Sequence, residues 1–167
     1  MKKRTGAALI ALSFILAGIT PLNAYWTDGG IAVTTAAESQ IYQHMASDGE
    51  GGVIIVWTDG RNGLDYDIYA QKIDAAGRAV WTADGVAVCT ASGDQRLARA
   101  VSDGEGGAII TWTDERLGSS DDDIYAQRID LNGIPRWTPA GISVCSATSV
   151  QEDAHICSDG GGGAIIA

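Results

Sequence analysis

Two Asp–Arg pairs stand directly after tryptophans in this chain. Asp59 and Arg61 follow Trp57, and Asp114 and Arg116 follow Trp112. A tryptophan face beside a carboxylate and a guanidinium can stack on a sugar or pair with an acidic ligand. A second set of carboxylates lies a few residues on, with Asp65 and Asp67 in one loop and Asp121, Asp122 and Asp123 in another. Clustered carboxylates in a loop can hold Ca²⁺ through oxygen ligands. The spacing is not that of an EF-hand, so the expectation is no cofactor, with calcium the one ion the composition allows. A solvated acidic loop is the structural alternative. His44 and His155 share one repeat position, which Arg99 takes in between, and they make no catalytic or metal pair.

No nucleophile elbow, HExxH helix, phosphate loop or Cys-x-x-Cys is present. Paired carboxylates for glycoside hydrolysis remain compatible with the composition, yet no Asp or Glu departs from the repeat background. The sequence therefore names no catalytic residue.

Both Asp–Arg pairs recur because the chain repeats. SDGEGG begins at Ser47 and Ser102, and SDGGGG at Ser158. Tryptophans at 26, 81 and 137 are spaced by 55 and then 56 residues. Ser47–Arg61 and Asp67–Asp74 agree with their partners at 19 of 23 positions, so one structural unit is used more than once. The units are read as 25–80, 81–136 and an incomplete 137–167. A residue present in every unit more often holds the unit together than binds a ligand. By that reading Asp59 caps a turn, and Arg61 pairs with a neighbouring carboxylate such as Asp67, as Arg116 does with Asp123.

Each unit has four stretches of strand character. The first follows WTxxG (Ile31–Thr34, Val86–Cys89, Ile142–Cys145) and the second runs into Ser-Asp-Gly. The third is continuously apolar (Val53–Trp57, Ala108–Trp112), as in a strand covered on both faces. The fourth, Asp67–Asp74 and Asp123–Asp130, mixes polar residues in and is expected nearer a sheet edge. Asp-Gly and Gly-Gly steps supply tight hairpins, and no segment after the first 24 residues keeps a helical period. The fold class is all-β: tandem four-stranded antiparallel repeats, read as β-propeller blades of an incomplete propeller. A lone blade has two apolar faces, so it needs neighbours, from the same chain or by self-association.

Residues 1–24 have the layout of a signal peptide. Lys2, Lys3 and Arg4 precede the apolar run Gly6–Ile19, and Ala24 offers a small residue for cleavage, an uncleaved anchor being the alternative. No membrane span is expected once the signal is cleaved. Without it, 8 of the 11 Lys and Arg face 21 Asp and Glu, a net charge of −13. Such a surface repels nucleic acid. The expected location is extracellular or cell-surface, with the periplasm possible. Export also permits disulfides, and Cys145–Cys157 is the pair expected in neighbouring strands, with Cys89 left over. It would close a short loop and add about 3 kcal/mol.

The pattern SDGxGGxIIxWTDxR followed by DIYAQxID resembles a repeat of large secreted bacterial proteins, many of which look like β-propellers. The resemblance runs from Trp26 to Ala167. It implies a blade architecture and a chain that is the N-terminal fragment of a longer protein. The function expected from the residues themselves, whose most conspicuous members recur in every unit, is a non-enzymatic secreted scaffold that binds a protein or glycan. A glycan-active propeller enzyme is the alternative.

Overall fold

The computed structural model describes residues 30–167, so the signal-peptide reading and Trp26 lie outside the described residues. The strands are β1 (Gln40–Ser47), β2 (Val53–Asp59), β3 (Asp67–Ile73), β4 (Val86–Cys89), β5 (Gln95–Ser102), β6 (Ala108–Asp114), β7 (Asp123–Ile129), β8 (Ile142–Cys145), β9 (Ile156–Ser158) and β10 (Ala164–Ile166). They form two four-stranded antiparallel sheets, β1-β2-β3-β4 and β5-β6-β7-β8, and a two-stranded sheet of β9 and β10. The all-β expectation holds, and the arrangement is compatible with consecutive blades of an incomplete propeller.

The sheets cut the repeat at a different phase from the sequence reading. Val86–Cys89 follows Trp81, the start of the second repeat, yet it pairs with β3 and completes the first sheet. Ile142–Cys145 closes the second sheet in the same way. Ile31–Thr34 occupies the equivalent position and is not a strand. A fourth strand forms only against the third strand of the preceding unit. The placing of β3 and β7 near an edge is corrected as well. Each is paired on both sides, and β3 is almost wholly buried. Its polar residues are satisfied locally: Gln71 Nε2 donates to Thr82 O, and Gln71 Oε1 accepts from Lys72 N and Trp81 N.

Burial shows the sheets stacking face to face. Val88 and Val144 share a repeat position, but Val88 is 1% exposed and Val144 42%. Only Val88 is covered by a following four-stranded sheet. Trp81 makes the link on one side of the stack, donating from Nε1 to Leu131 O at 3.0 Å. A single hydrophobic cluster joins Ile54, Val56, Ile68 and Ala70 of the first sheet to Ala98, Ala100, Ile110 and Trp112 of the second. Burying a large side chain in such a core contributes about 1.5–3 kcal/mol.

The strands place their connections at two rims. One carries the β1–β2 turn and the β3–β4 connection, and the other carries the β2–β3 loop and the β4–β5 crossover. The SDGEGG turn is held from within: Asp48 Oδ1 accepts from Glu50 N and Gly52 N, both at 2.8 Å. Asp103 repeats this with Glu105 N and Gly107 N. A Cβ on Gly52 would stand 2.4 Å from Ile73 O, which explains the second glycine of the pair.

The three cysteines are free thiols. The expected Cys145–Cys157 bridge is not formed, because β8 belongs to the second sheet and β9 to the next. Cys89 is buried, and burial pushes its thiol up to about 11.

Candidate functional site

The Trp-Asp-Arg trio is a closed clamp. Asp59 accepts from Trp57 Nε1 at 2.6 Å, Arg61 N at 2.9 Å, Arg61 Nε at 2.9 Å and Arg61 Nη2 at 2.7 Å. The guanidinium lies 3.7 Å above the Tyr69 ring, which stacks on Trp57. Its Nη2 also reaches Asp84 O at 2.8 Å. The second sheet repeats every contact with Trp112, Asp114, Arg116 and Tyr125, ending on Ala140 O.

Arg61 thus pairs with Asp59 in its own turn, and the expected partner Asp67 is corrected; Arg116 pairs with Asp114 instead of Asp123. Burial opposes ionisation of Asp59, but the bonds from Arg61 and Trp57 outweigh it and hold the carboxyl below its usual range. Asp59 and Asp114 are fully buried. The acceptor sites of the two carboxylates are filled from within the turn, so these four candidates hold the blade together.

The acidic loops lie on the other side of the same turn, at the rim of the β2–β3 and β6–β7 loops. Asp65 accepts from Asn62 Nδ2 at 2.6 Å and from Gly93 N of the crossover at 3.1 Å. Asp67 is buried and accepts from the same Asn62 amide at 3.1 Å. Burial, then the charges of Asp65 and Asp59, raise its pKa to about 6. In the second sheet Asp121 accepts from Ser149 N, while Asp122 and Asp123 are buried. Burial is the largest cause raising both of their pKa values. Among the described residues no three His, Cys, Asp or Glu side chains converge as a preformed metal cluster.

This rim has the features of a contact surface. Leu64 is 92% exposed and Leu117 66%, each at a loop tip. A cavity of about 310 Å³ lies between the β2–β3 loop and the approach to β1, lined by Glu38, Ser39, Gly60, Gly63, Leu64, Asp65, Tyr66 and Asp94. The loop also differs in length between units, NGLDY against LGSSDD. The opposite rim keeps its length and its bonds. Asp74 Oδ1 accepts from Ala76 N and Arg78 N, and Asp130 Oδ1 from Asn132 N and Ile134 N. It also ties sheet to sheet, through Trp81 and through Lys72 Nζ to Gly106 O at 3.1 Å.

A second set of differing residues was not legible from the sequence as a site. The register shifts between Ile41 and His44 in β1, and between Arg96 and Arg99 in β5. Tyr42, Leu97 and Asp153 occupy one repeat position with φ of 54°, 57° and 57°. Non-glycine residues rarely adopt this backbone, and a bulge re-aims the side chains beside it. A cavity of about 160 Å³ opens there, lined by Tyr42, Gln43, His44, Leu97, Ala98 and Arg99. His44 Nδ1 accepts from Ala100 N, which joins the sheets, and Arg99 pairs with Asp153 at 2.7 Å. Burial, then the Arg99 charge, lowers the His44 pKa. The only sequence signal was the His/Arg/His alternation at this position.

No family model matches the chain, and no curated protein or solved structure is similar to it.

Proposed function

We propose that the chain is a non-enzymatic scaffold of blade-type repeats that binds a protein or glycan at the rim of the β2–β3 and β6–β7 loops. The observation that carries this reading is the segregation of roles. Repeated polar residues are consumed in the clamps and turns, whereas the loop that differs in length bears exposed Leu64 and Leu117 beside Asp65 and Asp121. Binding surfaces concentrate on loops held by a rigid scaffold. Apolar tips among carboxylates suit a basic protein face or a neutral glycan, and disfavour a polyanion.

The resemblance to secreted bacterial propeller-type repeats supports an extracellular or cell-surface setting. Other blade-type units, copies of this chain among them, are the partners that would cover the exposed outer faces. The test is an array of neutral polysaccharides, acidic polysaccharides and basic proteins probed with the purified chain. Turnover of each retained ligand is followed in parallel. Retention of a basic or neutral ligand without product release supports the scaffold. Release of reducing sugar would install the hydrolase reading in its place.

A further inference from the structure

The β2–β3 loop and its counterpart, the β6–β7 loop, solve one electrostatic problem differently. In the first, a single amide serves two carboxylates: Asn62 Nδ2 donates to Asp65 Oδ1 at 2.6 Å and to Asp67 Oδ2 at 3.1 Å. In the second, Asp121 stands where Asp65 does. Each accepts at 3.1 Å from the crossover that follows, Asp65 from Gly93 N and Asp121 from Ser149 N. Asp123 stands where Asp67 does, paired across the strands with Asp114 as Asp67 is with Asp59. The residue in place of Asn62 is Leu117, whose side chain is exposed to solvent.

The second pair therefore has lost its shared donor. The consequence is visible at one atom. Asp123 is 2% exposed, and its Oδ2 has no hydrogen-bond partner. The corresponding oxygen of Asp67 is the one that meets the Asn62 amide. A buried carboxylate oxygen without a donor is expensive, and Asp121 and Asp114 add like charge nearby. Asp122 Oδ1 is also unpartnered, but Asp122 lies in the field of Arg96 and Glu152 and is not counted as a ligand.

We propose that a hard divalent cation, Ca²⁺ in chemistry, binds between Asp121 and Asp123 in the second sheet, at the place the Asn62 amide takes in the first. Two carboxylates can supply up to about four of the six to eight oxygens Ca²⁺ takes, with water completing the shell. So few protein ligands put the affinity at about 0.1–1 mM, the range of extracellular modules. The ion ties the β6–β7 loop to the buried start of β7 and orders the rim.

Equilibrium dialysis of the full chain against CaCl₂ tests this directly. The expected result is one Ca²⁺ per chain. Leu117→Asn restores the amide and weakens binding at least about tenfold, while Asn62→Leu creates a second, equivalent site. Circular dichroism of each variant checks that the fold is kept. Should Leu117→Asn not fold, Asp121→Asn carries the same expectation. No uptake at 5-fold above the expected range, as when the two carboxylates merely share a proton, overturns the proposal. So does uptake that Leu117→Asn leaves unchanged.

Discussion

Asp59 and Asp67 sit opposite each other in β2 and β3, yet their surroundings drive them apart. The first receives four hydrogen bonds and is held ionised; the second shares one amide and is raised to about 6. Replacing Asp59 by Asn leaves the buried end of Arg61 without its counter-charge. Breaking such a pair costs about 3 kcal/mol, measured as a lower midpoint in denaturant. Asp67 has the opposite sign. Its folded pKa lies above its unfolded value, so the folded state holds the extra proton between about 4 and 6, and stability falls as pH rises through that window. Asp67→Asn removes that dependence. Relative to the variant, the natural chain should lose about 1–2 kcal/mol between pH 4 and pH 7, read from denaturant unfolding at both values. An equal difference at both pH values contradicts the account.

The elements separate what a sequence can announce from what only assembly decides. The apolar runs of β2 and β6 and the Gly-rich turns were legible because strand period and turn chemistry are local. The phase of the sheets was not, because a tandem repeat can be divided anywhere, and only pairing shows that Val86–Cys89 closes the sheet before it. Nor were the partners of Arg61 and Arg116, since several carboxylates stand within reach of each in sequence and the choice follows from the fold of one turn. The loss of the Asn62 amide at Leu117 was printed in the sequence, but it acquired meaning only once Asp121 and Asp123 were placed.

Two glycines make the element-scale argument testable. Gly77 and Gly141 have φ of 78° and 79°, but a Cβ at Gly77 meets open space, whereas at Gly141 it stands 2.5 Å from Trp112 Cη2 and 2.7 Å from Ala126 O. Gly77→Ala should cost about 1–2 kcal/mol for the left-handed backbone alone. Gly141→Ala should cost at least about 1–3 kcal/mol more for the overlap with the clamp, by the same unfolding measurement. Equal losses would show that the tryptophan yields freely.

At the scale of the whole molecule, the stack presents apolar surface on both outer faces. Met45 is 62% exposed on β1, beside a cavity of about 480 Å³ that also touches Ile55 and Trp57. On the other side Ile142, Val144 and Ile165 are exposed. Faces of this kind mark association sites. Sedimentation should show mass rising with concentration, and Val144→Asp should suppress the rise. A mass independent of concentration, unchanged by Val144→Asp, contradicts this.

The division of labour is the central claim we propose: residues common to the units build the stack, and the β2–β3 and β6–β7 loops, which differ in length, make the contacts. Its most direct test is amide hydrogen exchange of the full chain with and without the tightest ligand from the array. The account predicts slowed exchange in 60–66, 90–94, 115–122 and 146–151, with 48–52 and 103–107 unchanged. Protection confined to the SDGEGG turns at 48–52 and 103–107 would contradict it.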